Sequence, residues 1–180
     1  PQATFRALYG RAHRSPNAYE RDFNDGTTQA DNPGLRSEAI DTIELVADYR
    51  PLTNTNLRAT AYAWDIYRLV TLGVDANSNL SQYQEASAKV KARGLELSSD
   101  TTWNGGARLL TSFGIQDTGL QGDRLLNSPA YLGKLNLSVP LPLMNGLRAG
   151  YELQYYCKRK TLNGSNTDSY LLSNLNLITV

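Results

Sequence analysis

Leu147-Arg148-Ala149-Gly150-Tyr151-Glu152-Leu153-Gln154-Tyr155-Tyr156-Cys157-Lys158 is the stretch whose reading decides the fold. Leu147, Ala149, Tyr151, Leu153, Tyr155 and Cys157 recur at a period of two, and Arg148, Gly150, Glu152, Gln154, Tyr156 and Lys158 fill the alternate positions. A helix would scatter both sets around its axis. A pleated strand sends successive side chains to opposite faces, so the run is predicted to be a strand with one apolar and one wet face.

The same alternation recurs on both sides of this run. Gly133–Val139 sets Leu135, Leu137 and Val139 against Lys134, Asn136 and Ser138, and Asp41–Arg50 sets Ile43, Leu45, Ala47 and Tyr49 against Thr42, Glu44, Asp48 and Arg50, with Val46 as the misfit. Ala107–Gln116, Tyr170–Val180 and Ala3–Arg14 read the same way, the last with Phe5, Ala7 and Tyr9 on its apolar side. Leu57–Leu69 is ambiguous, because Tyr62 and Trp64 share a face with Arg58 and Thr60. Tyr83–Thr102 changes phase, from Ala88, Val90 and Ala92 to Leu95 and Leu97, and a β-bulge is predicted at Gly94 to absorb the switch. These segments make eight predicted strands. No helix of useful length is expected; the apolar residues of Gln82–Leu97 do not recur at helical spacing.

The connections alternate in length. Long ones are predicted near residues 15–39, 70–82, 117–129 and 162–169, and short ones at Pro51–Asn56, Asn104-Gly105-Gly106 and Pro140–Gly146. A membrane β-barrel sorts its loops in this way, with tight turns at one end and long polar loops at the other. An aqueous interior also accommodates the charged wet faces, which a filled barrel would bury at high cost. The inward acids Glu44, Asp48, Glu96, Asp100 and Glu152 are expected to pair with inward Arg58, Arg108 and Arg148 rather than to perform acid–base chemistry. The fold class predicted is all-β, an antiparallel transmembrane β-barrel.

Composition narrows the function. Eighteen Lys and Arg face seventeen Asp and Glu, so no field gathers nucleic acid. The single cysteine, Cys157, has no disulfide partner, and it lacks the further Cys or His ligands that a metal site needs; no catalytic or metal-ligating residues are assigned and no cofactor is expected. Cys157 is read as a lipid-facing or upper-belt residue, and Tyr49, Tyr151 and Tyr155 as interfacial aromatics. No stretch approaches the apolar length of a membrane-spanning helix, and Pro1–Arg6 has no apolar core of the kind that marks a secretory signal. No nucleophile, base and orienting group converge, so an enzyme is not expected.

Several runs carry a family resemblance. Leu8–Glu20, containing Arg11-Ala12-His13-Arg14-Ser15-Pro16, resembles the strand and loop of TonB-dependent receptors that usually reads Phe-Arg-Ala-Pro before an acidic position. Asn32-Pro33-Gly34-Leu35-Arg36-Ser37-Glu38 is similar to that family's Asn-Pro-x-Leu-Lys-Pro-Glu, and Thr42-Ile43-Glu44-Leu45 to its Tyr-Glu-Leu strand start. Ala92-Arg93-Gly94-Leu95-Glu96-Leu97 resembles Ser-Arg-Gly-Val-Glu-Leu, and Leu126-Asn127-Ser128-Pro129 the opening of a later strand. The departures are His13 where Phe is common, Ser15 where Ala is common and Ser37 where Pro is common.

The resemblance implies that residues 1–180 are part of a barrel of about 22 strands, with a plug domain and terminal strands outside this sequence. It implies a receptor of the outer membrane, in contact with its lipid, that imports a scarce nutrient, by family frequency a ferric siderophore or other metal chelate, driven by the TonB complex of the inner membrane acting through the plug. Ligand-binding candidates implied are Arg11, Arg14, Tyr19 and Arg21 in the first loop and Tyr83 and Lys91 in the second. Haem receptors of the family usually carry a histidine between the two loop motifs, and residues 17–31 contain none, so His13 is read as a rim residue. The alternatives are a passive porin or adhesin barrel and a soluble β-sheet binding module.

Overall fold

The computed structural model describes residues 2–120, 123–144, 146–161 and 164–179. Its main feature is a wall of eight antiparallel strands in chain order: β1 (Gln2–Arg14), β2 (Glu38–Leu52), β3 (Thr55–Tyr67), β4 (Val90–Thr102), β5 (Arg108–Leu120), β6 (Tyr131–Pro140), β7 (Leu147–Tyr156) and β8 (Tyr170–Thr179). Each pairs with its sequence neighbours, which is the meander of an up-and-down barrel. β1 and β8 form the two edges, so the wall is an open sector. The eight predicted strands are all present. Parts of the predicted 117–129, 140–146 and 162–169 links, and Val180 of the last strand, lie outside the described residues.

The wall register joins odd with odd and even with even. One row runs Phe5, Ala47, Ala59, Leu97, Phe113, Gly133, Tyr155, Leu171, all odd-numbered. A slip lies only at the β2–β3 turn, between Tyr49 and Leu52. Side chains at paired positions share a face, so the odd residues form one continuous surface and the even residues the other. The odd face exposes Phe5, Ile43, Leu45, Leu57, Leu95, Leu97, Phe113, Leu175 and Leu177, the apolar belt of a lipid-facing wall. Hydroxyls on that face pair with each other: Ser99 Oγ lies 2.8 Å from Thr111 Oγ1, and Ser173 Oγ donates to Tyr151 Oη at 3.2 Å. Tyr49 stands toward the short-turn end of this face, and Tyr131 and Tyr155 toward the long-loop end.

The structure corrects the sequence reading of residues 83–102. Ser81–Glu85 is a separate loop strand, and β4 begins at Val90. There is no bulge at Gly94: its pairing with Tyr62 on β3 and Gln116 on β5 sits inside unbroken registers. The apparent phase change has another cause. Above the belt the polarity of the faces inverts, so odd Lys91 and Arg93 meet water while even Val90 and Ala92 are buried beneath the loops. Tyr62 and Trp64, ambiguous in sequence, are even-numbered and face the interior with Arg58. β3 stops at Tyr67, where Arg68 adopts a φ of 54°.

The long connections, residues 15–37 and 68–89 and the described parts of those after β5 and β7, emerge at one end, and the short turns 53–54 and 103–107 and the described part of that after β6 at the other. Cys157 is corrected as well: it follows β7, is buried rather than lipid-facing, and its Sγ accepts from the Tyr131 amide at 3.2 Å. The helix found is the five-residue Ala18–Asp22, labelled α1, and no helix among the described residues is long and apolar enough to cross a membrane.

Candidate functional site: the loop cluster above the polar wall

The first two long loops fold onto each other. Gln29–Ala30 runs parallel to Ser81–Gln82, and Val70–Val74 pairs antiparallel with Ser81–Glu85, giving a small sheet built from both loops. Side chains reinforce it: Asn32 Nδ2 donates to the Tyr83 carbonyl at 2.9 Å and Gln82 Nε2 to the Asp31 carbonyl at 2.8 Å. Arg36 forks onto Glu85, Nε to Oε1 at 3.0 Å and Nη2 to Oε2 at 2.6 Å, and its amide donates to the same Oε1. This is the planar, bidentate geometry at which arginine excels.

A second knot ties the loops to the wall. Arg14, the last residue of β1, donates to Glu38 at the start of β2 at 2.7 and 2.9 Å and to Glu20 in α1 at 2.9 and 3.0 Å. Glu38 Oε1 also accepts from the Val70 amide at 2.7 Å, which anchors the second loop. Local sequence explains α1. Asn17 caps it by accepting from the Glu20 amide at 2.8 Å, and Glu20 reaches back to the Asn17 amide at 3.0 Å, a complete capping box. The Arg14 guanidinium and then the Asn17 amide hold the Glu20 carboxyl below its ordinary range, and Arg36 does the same for Glu85.

Aromatic residues gather on this scaffold. Tyr19 stacks on Phe23 with centroids 4.6 Å apart, the i, i+4 spacing of one helical turn, and meets Tyr83 of the second loop edge-on at 6.2 Å. Tyr19 Oη donates to Gln29 Oε1 at 3.2 Å. Gln29 is 8 % exposed, yet its Nε2 has no hydrogen-bond partner among the described residues. Asp25 holds this turn by accepting from the amides of Thr27, Thr28 and Gln29 at 2.7–2.9 Å and from the Thr28 hydroxyl, which drives its carboxyl far below the usual range.

Below the loops the even face is polar. Asp48 bridges Arg6 and Arg58, and Asp100 takes Arg108 at 2.7 and 3.0 Å, as the inward pairing predicts. Arg148 and Glu152 depart from it. Arg148 donates to Ser138 Oγ at 3.0 Å and the Gly106 carbonyl at 2.8 Å, and Glu152 accepts from Gln154 and Asn174. Glu44 and Glu96 make no ion pair among the described residues. A depression of about 400 Å³ opens on this face between Arg108, Asn136, Arg148, Glu152 and Asn176.

The six ligand-binding candidates separate into groups. Tyr19 and Tyr83 touch, and Arg14 braces the helix that carries Tyr19. Arg21 lies in α1 paired with its neighbour Asp22 at 2.9 Å. Arg11 and Lys91 lie on the odd face, Arg11 beside Asp41 at 3.4 Å and Lys91 in register with Asp65 and Gly119. His13 is also odd-numbered and exposed, in register with Ala39. Sequence reasoning missed Phe23, whose signal is its spacing from Tyr19, and Gln29, whose burial depends on contacts remote in sequence.

Comparison with known proteins places this architecture. No curated protein matches the chain in sequence. Among solved structures, the siderophore receptor PirA from Acinetobacter baumannii superposes with a TM-score of 0.75 at 16 % identity over 97 % of this chain and 32 % of its own. The ferric enterobactin receptor PfeA from Pseudomonas aeruginosa, as a mutant, gives 0.73 at 18 % identity over 96 % and 30 %. The copper transporter OprC gives 0.73 at 13 % identity over 97 % and 28 %. These likenesses establish the fold, and the chain spans about a third or less of the proteins it matches. The family model described as TonB dependent receptor-like, beta-barrel, matches residues 1–179, and the chain therefore belongs to the TonB-dependent receptor β-barrel family.

Proposed function

We propose that this chain is a sector of the barrel of an outer-membrane receptor that imports a scarce nutrient, with a ferric siderophore as the ligand, in a TonB-dependent cycle. The observation that carries the reading is the loop cluster: two long loops locked into one body that presents Tyr19, Phe23 and Tyr83 above a polar inner wall. Aromatic rings supply contact area at low entropic cost. Within the predicted set, Tyr19 and Tyr83 are the contact residues proposed, with Arg14 and Arg21 framing them. Arg11 and Lys91, on the odd face, are not part of this contact set. The plug domain and the TonB complex are the partners of the whole receptor in this reading, and the protein acts as a receptor rather than an enzyme.

The test is growth of a strain lacking the full-length receptor on a panel of sole iron sources plus cobalamin, with and without TonB. Loss of growth on one ferric siderophore, reproduced by TonB deletion, is the expected result. Unchanged growth on every source, with liposomes carrying the barrel becoming permeable to small solutes, overturns it in favour of a passive pore.

A further inference from the structure

The odd face carries a feature apart from the loop cluster. On β4 it passes from Leu97 and Leu95 directly to Arg93 and Lys91, so two exposed cations stand immediately above the apolar belt on one strand. The neighbouring cations are paired: Arg11 with Asp41 at 3.4 Å, Lys89 with Asp65 at 2.7 Å, Arg124 with Asp117 at 3.8 Å. Lys91 and Arg93 make no ion pair or side-chain hydrogen bond among the described residues, although Asp65 and Asp117 lie opposite them in register. Directly below, the same face holds an apolar depression of about 480 Å³ lined chiefly by Phe5, Leu45, Ala47, Ala59, Ala61 and Leu95. Leu95 is paired with Ala61, and Arg93 with Ala63 one step higher, so the cations stand at the mouth of the depression.

We propose that this is a binding site for one anionic, phosphate-bearing lipid of the leaflet nearest the long loops, its phosphate held by Arg93 and Lys91 and an acyl chain lying in the depression. The occupant follows from charge complementarity and position. Two unpaired cations at the water–hydrocarbon boundary attract a phosphate where its charge is only partly screened, while the depression accepts hydrocarbon that a soluble anion does not carry. The proposal rests on the membrane-barrel reading above but not on the identity of the imported nutrient.

The experiment uses the full-length receptor reconstituted in phosphatidylcholine vesicles doped with spin-labelled phosphatidylglycerol or spin-labelled phosphatidylcholine, with electron spin resonance reporting the motionally restricted fraction of each. Wild type is expected to favour the anionic probe. The Lys91→Gln/Arg93→Gln double variant is expected to lower that relative association by roughly fivefold or more, and Lys160→Gln, which removes an exposed loop cation, to leave it unchanged. Equal preference in wild type and the double variant overturns the proposal, as does an equal fall with Lys160→Gln. Heat-modifiable gel migration is read on the same vesicles. A wild type that does not insert as a folded barrel sinks the membrane reading itself, whereas one that inserts and shows no lipid preference sinks only the lipid site.

Discussion

The phenol ring of Tyr62 on β3 lies across Gly94 of β4, so close that a Cβ on Gly94 would stand 2.5 Å from Tyr62 Cζ and Oη and 2.7 Å from the Ile115 carbonyl oxygen. The ring thereby crosses a strand and its hydroxyl donates to Gln116 Oε1 on β5 at 3.3 Å. Gln116 in turn donates to the Pro129 carbonyl at 2.9 Å, which secures the segment entering β6. Gly94 is required for this close approach, not for a bulge.

Gly94→Ala is therefore expected to destabilise the full-length receptor by about 1–3 kcal/mol, the range for overpacking. Urea unfolding in vesicles measures it. In a Tyr62→Ala background only part of the loss should return, because the Ile115 carbonyl is backbone and cannot swing aside. Full recovery would show that the ring alone sets the constraint.

The two faces of β4 make a second prediction. Leu97 sits in the lipid belt between Ala59 and Phe113, whereas Glu96 is on the polar face between Thr60 and Gly114. Leu97→Arg should cost up to about 2–4 kcal/mol, the cost of a cation near the bilayer midplane. Glu96→Arg should cost far less, since water reaches the inner wall. Equal losses in vesicle unfolding would contradict the assignment of faces.

Those faces were legible in sequence wherever a strand lies wholly inside the belt. β7 reads correctly from Leu147 to Tyr156 because lipid and water flank it along its length. Residues 83–102 misled because Lys91 and Arg93 rise above the belt, where the outer side is wet, and a period-two pattern carries no mark of that boundary. The sequence marks Gly94 but not its cause, since the Tyr62 ring that demands it is thirty-two positions away in sequence and adjacent only through the β3–β4 register. The loop cluster was half visible. Tyr19 and Tyr83 stand out singly, but nothing local states that Asn32 binds the Tyr83 carbonyl or that Arg36 grips Glu85.

Acid should loosen the loop cluster before the wall. Glu20, Glu85 and Asp25 all have carboxyls depressed below their ordinary values, by Arg14, by Arg36 and by the Thr28 hydroxyl with the surrounding amides respectively. A depressed folded-state value means that the stabilisation is complete above the unfolded value, roughly 4, and is lost as pH falls through the folded one. The pairs are exposed and individually weak, so the effect is local. Hydrogen exchange at the Gln29 amide, held by Asp25, should be well protected at pH 6, begin to lose protection below about pH 4 and lose it progressively as pH falls toward the depressed Asp25 value, once corrected for intrinsic rates, while amides in β7 keep theirs. Unchanged Gln29 protection across that window would mean that the carboxylates do not hold the loop.

Ligand capture by the aromatic cluster is the last prediction, and it must separate contact from positioning. The rings of Tyr83 and Tyr19 meet in a T-shaped contact, while the Tyr83 carbonyl accepts the Asn32 side-chain amide and so joins the loops. Tyr83→Ala keeps that carbonyl and removes the ring; Asn32→Ala keeps the ring and removes the pin. If the ring touches the imported chelate, Tyr83→Ala should weaken equilibrium binding to whole cells by roughly tenfold, the scale of an aromatic anchor, and Tyr83→Phe should restore it. Asn32→Ala should weaken binding less and raise protease nicking within residues 15–37, because its effect runs through loop order. A Tyr83→Ala variant that binds normally, or one whose loss is matched by nicking as severe as that of Asn32→Ala, would move the residue from ligand contact to loop architecture. The same comparison on Tyr19→Ala and Tyr19→Phe tests its partner ring, with one added term: Phe removes the hydroxyl that donates to Gln29 Oε1 and leaves the buried amide with both ends unpaired. Tyr19→Phe should therefore restore binding only in part.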